Sequence, residues 1–135
     1  MRVRLSAESI HNELVRRVEE YSGQNLMACY QCGKCAAGCP VAFAMDMLPS
    51  QVIRYAQLGL VEKLTESKTI WLCAACQTCY TRCPKGVDLS RIMEALREIV
   101  MYEKGSYIDY DAIPPEELME WPQQAFIGAF RKYAV

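Results

Sequence analysis

The eight cysteines of the chain form two copies of one spacing pattern. The copies are Cys29-x2-Cys32-x2-Cys35-x3-Cys39-Pro40 and Cys73-x2-Cys76-x2-Cys79-x3-Cys83-Pro84. This is the ligand spacing of chains that hold two [4Fe–4S] clusters. Three thiolates on one tight loop reach one cubane, whereas the fourth cysteine, followed by proline, belongs to the other cluster. We therefore expect cluster I at Cys29, Cys32, Cys35 and Cys83, and cluster II at Cys73, Cys76, Cys79 and Cys39.

Two other uses of the cysteines fit the pattern less well. A structural zinc site typically takes two C-x2-C pairs, so the third cysteine of each run would be redundant. A disulfide framework needs an oxidising compartment, and the N-terminus has no apolar signal segment. The two complete runs, their prolines and the use of all eight cysteines favour the clusters.

Composition and charge limit the possible partners and the location. The chain has 135 residues, of which 52% are hydrophobic, a formal net charge of −1 and a pI of about 5.9. These values predict one domain with a modest core. They show no excess of positive charge of the kind that binds nucleic acid. No apolar run approaches the roughly 18 to 20 residues that a membrane span needs. Because thiolate-bound clusters suit a reducing compartment, we expect a cytoplasmic protein.

Hydrophobic periodicity predicts helices around the two cysteine loops. A first helix is expected from Ser6 to about Tyr21, with an apolar face of Ile10, Leu14, Val18 and Tyr21. A second is expected from about Pro49 to Leu58, with Leu48, Val52, Tyr55 and Ala56 on one face. Asp88 is the expected N-cap of a third, running to about Tyr102 and burying Leu89, Ile92, Met93, Leu96 and Val100.

The connector between the cysteine loops decides the fold class. It carries helical periodicity without sustained period-two alternation, so the prediction is an all-α, alpha-helical ferredoxin. Gly33 and Gly38 are expected to give the first loop the backbone freedom to wrap a cluster. We expect one domain over residues 1–135, made of an N-terminal helix (1–25), a two-cluster core (26–105) and a tail (106–135). In the tail, Phe126, Phe130 and Tyr133 would share a helical face that either folds back on the core or docks a partner.

Several segments together resemble a known family. They are "NLMACYQCGKCAAGCP", "IWLCAACQTCYTRCPKGVDLSRIMEALREIV" and "AFIGAFRKY". The chain resembles the C subunit of heterodisulfide reductase over about residues 10 to 133. The resemblance implies an electron-transfer subunit of an oxidoreductase complex, which links a flavin-containing A subunit to a cysteine-rich B subunit that carries out disulfide chemistry.

No catalytic site of the chain's own is expected. All cysteines are occupied, so no thiolate remains as a nucleophile, and His11 is expected to be a solvated helix residue. Lys34, Arg82 and Lys85, beside the ligands, could offset the cluster charge, form a face for an acidic partner or be solvated. Tyr30 and Tyr80 are expected to cover the clusters from water.

Two other functions remain open from the sequence. One is a free soluble ferredoxin, against which the aromatic tail and the N-terminal helix argue. The other is the iron–sulfur subunit of a succinate- or glycolate-oxidising complex. Succinate-type subunits add a [2Fe–2S] domain, for which no cysteines remain.

Overall fold

The computed structural model describes residues 6–103, 113–124 and 127–128, and within these ranges it contains helices, turns and no strand. The predicted all-α fold class is therefore confirmed. The α-helices are α1 (Ala7–Ile10), α2 (Glu13–Ser22), α3 (Lys34–Ala37), α4 (Pro49–Gln57), α5 (Val61–Thr65), α6 (Thr69–Leu72), α7 (Thr78–Thr81), α8 (Leu89–Glu103) and α9 (Pro115–Glu120), with short 3-10 helices at Leu26–Ala28 and Ala42–Ala44.

The expected continuous N-terminal helix is wrong, because the chain breaks between α1 and α2. Asn12 has an extended backbone there, and its side-chain oxygen accepts a hydrogen bond from the Val15 N–H at 2.9 Å. Its side-chain amide donates to the Gly59 carbonyl at 2.8 Å. Asn12 therefore caps α2 and also ties it to the turn after α4.

The buried face of α2 also differs from the predicted one. Val18 is fully buried as expected, but Val15 and Ser22 complete the face, while Tyr21 is 46% exposed. Gly23 ends the helix in the left-handed conformation, which glycine adopts without strain.

Helices α4 and α8 build the core and lie where the sequence predicts them. Pro49 occupies the first turn of α4, where its missing N–H costs no hydrogen bond. Asp88 caps α8, since its carboxylate accepts from the N–H groups of Ser90 (3.0 Å) and Arg91 (3.4 Å). The predicted face of α8 is buried, and Ala95 and Ile99 join it; from α4, Val52, Ile53 and Ala56 are also buried. Leu48, predicted on the face of α4, is exposed.

A carboxylate joins the segment before α4 to the segment that enters the second loop. Asp46 accepts hydrogen bonds from the N–H of Lys68 and the N–H and hydroxyl of Thr69, at 2.9, 2.9 and 2.6 Å. These hydrogen bonds lower the pKa of Asp46 to about 2, and the bond from the Thr69 hydroxyl has the largest effect. Asp46 therefore caps α6, although the two are far apart in sequence, and holds in place the segment that leads to Cys73.

The chain divides into two compact units, residues Met1–Val100 and Met101–Val135. In the second unit, Pro115 begins α9, and Glu116 and Glu117 lie in its first turn, where acidic side chains favour a helix. Met119 and Ile127 are exposed. The predicted aromatic face of Phe126, Phe130 and Tyr133 lies outside the described residues.

Candidate metal centres

The two cysteine loops share one unusual backbone conformation. In the first loop Gln31 and Gly33, on either side of Cys32, have φ of 64° and 78°; in the second, Ala75 and Gln77 flank Cys76 with φ of 50° and 60°. Positive φ is uncommon outside glycine and costs energy in other residues. The repeat therefore extends from cysteine spacing to backbone shape, and three strained non-glycine residues stand beside the two middle cysteines.

The first loop and the last cysteine of the second run surround one cavity, here called cavity I. Its wall includes the thiols of Cys29, Cys32, Cys35 and Cys83. Ile53 of α4, Val87 and Leu89 supply apolar side chains.

The second loop and the last cysteine of the first run surround a second cavity, here called cavity II. Here the thiols are those of Cys39, Cys73, Cys76 and Cys79, and Val41, Met45 and Met93 contribute apolar side chains. Each cavity thus combines three cysteines of one run with the fourth of the other. The ligand sets remain predictions, and these linings support them.

Both cavities lie at the amino ends of α4 and α8. Pro49 and Ser90 line cavity II and Ser50 lines cavity I, while Leu89 lines both. The N-terminus of a helix carries partial positive charge and favours anions. Four thiolates, apolar walls and these helix ends fit an anionic thiolate-bound cubane in each cavity.

The cysteines differ in exposure in the same way in both loops. The middle ones, Cys32 and Cys76, are exposed, and the others are half-buried. A hydrogen bond from the Lys34 backbone lowers the pKa of Cys32. In the other loop, a hydrogen bond from the Thr78 hydroxyl, which lies 3.4 Å from the Cys76 sulfur, lowers the pKa of Cys76. Burial raises the pKa of Cys35, and that of Cys79 to about 11. Because iron binds thiolates, cluster assembly must release protons from half-buried Cys35 and Cys79.

Further donors reach sulfur atoms around cavity I. The Gln31 N–H lies 3.4 Å from the Cys29 sulfur, and the Val87 N–H lies 3.3 Å from the Cys83 sulfur. Hydrogen bonds to ligand sulfur are one of the means by which a protein sets a cluster's reduction potential.

Gln57 is a buried site residue that sequence reasoning missed. Its side-chain amide donates to the carbonyls of Leu26 and Cys29 at 2.9 and 2.8 Å, so that α4 holds the entrance of the first loop. The signal was a glutamine on the otherwise apolar side of a helix, a position where a polar side chain needs partners.

Gly38 has a different role from the one predicted. Its φ is −103°, which any residue adopts, so backbone freedom is not what the position requires. A Cβ atom there would lie 2.7 Å from Cδ and Nη1 of Arg82. Glycine at this position therefore leaves room for the Arg82 side chain, whereas Gly33 has the expected positive φ.

The aromatic residues of the loops do not line the cavities. Tyr30 and Tyr80 are about half exposed, and neither belongs to the wall of cavity I or II. The hydroxyl of Tyr30 instead hydrogen-bonds Cys32, which raises the pKa of the tyrosine. The prediction that these rings cover the clusters is not supported, because aliphatic side chains form the walls. His11 is exposed, as expected, but it lies in the turn between α1 and α2 and not in a helix.

Within the described ranges, no three His, Cys, Asp or Glu side chains are grouped to hold a single metal ion. Among these residues no helix has the length and apolar character to cross a membrane.

Comparison with known proteins gives a family for the cysteine-containing region. Residues 25–87 match the family model of the 4Fe-4S dicluster domain. The chain is 39% identical over 89 residues to the iron–sulfur C subunit of the CoB–CoM heterodisulfide reductase of Methanopyrus kandleri, covering 65% of this chain and 46% of that protein.

Two further relatives extend the similarity. A second iron–sulfur C subunit of a CoB–CoM heterodisulfide reductase, from Methanocaldococcus jannaschii, is 36% identical over 99 residues, covering 70% of this chain and 52% of that protein. A protein of Archaeoglobus profundus that is named for its likeness to the heterodisulfide reductase C subunit is 35% identical over 102 residues, covering 72% and 54%. The chain thus spans about half the length of the curated relatives it matches.

The resemblance inferred from the cysteine loops is therefore confirmed, as is the prediction of two [4Fe–4S] clusters. The chain carries a 4Fe–4S dicluster domain, and its curated homologues include iron–sulfur C subunits of heterodisulfide reductase.

Proposed function

We propose that the chain is the electron-transfer subunit of a heterodisulfide reductase-like complex and relays single electrons between two partner subunits. The observation that carries this proposal is the pair of cavities, each ringed by four of the eight cysteines and adjoining the same Leu89 side chain. Two redox centres so close to each other form a path for electrons, and the names of the relatives fit such a role.

The ligand sets that we propose follow the cavity walls. Cluster I is held by Cys29, Cys32, Cys35 and Cys83, and cluster II by Cys73, Cys76, Cys79 and Cys39. When bound, each cluster would supply a one-electron redox centre.

The chain's own residues prepare these sites in three ways. Leu89 and the other apolar side chains exclude water from the inner side of each cavity. Backbone N–H groups bond sulfur atoms, and the amino ends of α4 and α8 favour the anionic sites. Gln57 and Asp46 fix the two loops on the helices that carry them.

The partners that we propose are a flavin-containing A subunit and a cysteine-rich B subunit with disulfide chemistry. Support comes from the relatives' names, which describe a C subunit of a larger reductase. In this proposal residues 1–135 form one domain with a core at 26–105, and the tail at 106–135 docks a partner. Exposed Met119 and Ile127 support a docking role for the tail.

Anaerobic reconstitution tests the cluster content. We expect about eight iron and eight sulfide per chain, as two cubanes require. Zinc without acid-labile sulfide would contradict the proposal.

Co-purification from the native source tests the role in a complex. We expect A- and B-like subunits to accompany the chain. Electrons supplied to the A-like subunit should reach the B-like subunit only when this chain is present. A chain that migrates alone and exchanges electrons freely with several enzymes would be a free ferredoxin instead.

A further inference from the structure

Three cationic side chains belong to the two cysteine loops, and one of them, Lys34, lines cavity I. Lys34 follows Cys32 by two residues, and its side chain lines an open cleft together with Arg82 and Ala37. The amine of Lys85 lies over the ring of Tyr30, 5.9 Å from its centre, and Tyr30 precedes Cys32 by two residues. We call Lys34, Arg82 and Lys85 the cationic rim.

The cationic rim has no neutralising partner in the part of the chain that the structure describes. All three side chains are exposed, and the ion pairs found there join other residues, Arg16 with Glu13 and Arg91 with Asp88. The segments 26–45 and 71–87, which contain the two loops, hold no aspartate or glutamate. The rim is therefore a local positive patch on a chain whose formal net charge is −1.

The internal repeat provides a built-in comparison for this patch. The positions equivalent to Lys34, Arg82 and Lys85 in the other copy are Thr78, Gly38 and Val41, and all three are uncharged. If the rim served to offset the negative charge of a bound cluster, cluster II would need the same cations. The two copies therefore differ in charge, which points to something outside the chain.

The patch also has exposed apolar surface. Tyr30 and Met27 are about half exposed and line one open depression beside the rim, together with Leu58 and Arg54. An apolar centre with a charged rim is the usual anatomy of a protein–protein interface, and complementary charge raises the rate of encounter.

We propose that the cationic rim docks a protein partner with an acidic surface, which exchanges electrons with this chain at cavity I through the exposed side of Cys32. The inference rests on the proposed function and adds the chemistry of one partner and the side on which it binds. The partner at cavity II would meet a surface without the two rim lysines.

Amine labelling of the native complex tests the docking. Lys34 and Lys85 should react with an acetylating reagent in the isolated chain and be protected in the complex. Lys68, also exposed but located at the start of α6, is the matched control and should react equally in both. A zero-length carboxylate–amine cross-linker should join Lys34 or Lys85 to aspartate or glutamate of another subunit. Unchanged labelling of both rim lysines in the complex would overturn the proposal, as would cross-links to nucleic acid.

Electron-transfer kinetics test the electrostatics without any partner. The dithionite-reduced protein gives one electron at a time to hexacyanoferrate(III), an anion, or to hexaammineruthenium(III), a cation, each metal ion being reduced from III to II. The double variant Lys34→Gln, Lys85→Gln should slow the reaction with the anion about tenfold at low salt. The reaction with the cation should not slow, and Lys68→Gln should change neither rate.

Two controls keep the outcomes distinct. Iron content shows whether each variant holds its clusters. If the double variant loses them, the single variant Lys85→Gln takes its place in the kinetic comparison. Equal effects of Lys68→Gln and the rim variants would mean that net charge alone matters, and the docking proposal would fail. If the complex relays electrons while both rim lysines stay accessible, the docking proposal fails and the proposed function stands. If no electrons pass between the partner subunits, the proposed function itself fails.

Discussion

Replacing Gln57 with leucine should weaken cluster I in particular. The side chain is 7% exposed and donates to two carbonyls, those of Leu26 and Cys29. Leucine keeps most of the volume but has no donor. The Leu26 carbonyl belongs to a fully buried residue, and an unpaired buried acceptor costs about 1–3 kcal/mol. Cys29 is half-buried, where water can replace part of the lost bond.

The expected total is about 2–3 kcal/mol against the closed form of the first loop. A loss of about 2 kcal/mol raises the population of the open loop about 30-fold. Iron release to a chelator under anaerobic conditions should accelerate by a similar factor. EPR, with signals assigned from Cys32→Ser and Cys76→Ser, should show that cluster I is lost first.

Gln51→Leu is the matched control on the same helix. Gln51 is exposed, and its side chain accepts only from the Leu48 N–H, at 2.8 Å, where water can substitute. We expect iron release to change little. The reasoning would be refuted if Gln57→Leu released iron no faster than Gln51→Leu, or if cluster II were lost first.

Three further predictions concern the ligands, the connector and the first loop. Cys39→Ser should change the EPR signal of cluster II; a change confined to cluster I would mean that each loop holds its own cluster. Asp46→Ala should lower the free energy of unfolding, measured in urea, by about 1 kcal/mol, as for other lost helix caps. Because the pKa of Asp46 is lowered from 3.8 to about 2, its stabilisation is complete above the higher value and fades only as pH falls toward the lower one. The deficit should therefore be equal at pH 7 and pH 5, and a deficit that shrinks over this range would count against the cap. Gly33→Ala should destabilise the first loop, because alanine is strained at the φ of 78° that this position has. Gly38→Ala should cost less, because the Arg82 atoms that its Cβ would meet belong to the far end of an exposed, flexible side chain. Equal destabilisation by the two variants would contradict this explanation.

Local signals were enough to predict much of the fold. The cysteine spacing predicted two [4Fe–4S] clusters because cluster ligation restricts which spacings are possible. The apolar repeat of α8 is long enough to identify both its cap, Asp88, and its buried face. Pro49 likewise marked the start of α4, because proline is favoured in the first turn of a helix.

The failures involve partners that are distant in sequence. Asn12 breaks the N-terminal helix partly because the Gly59 carbonyl lies within reach, and nothing near Asn12 in the sequence indicates this. The role of Gly38 depends on Arg82 in the other loop, and that of Gln57 on carbonyls of the first loop. Periodicity describes which face of a helix is apolar, but it cannot show which distant backbone group meets a polar side chain.

The crossed walls of the two cavities have a topological consequence. A cluster in cavity I would close the chain from Cys29 to Cys83, and one in cavity II would close a smaller loop, from Cys39 to Cys73, nested inside it. Closing a loop removes conformational entropy from the unfolded chain, and the cost of a second closure is smaller when a first already holds its ends together. Each cluster therefore prepares the chain for the other, so binding of one should favour binding of the other during maturation, and loss of one should speed the loss of the other.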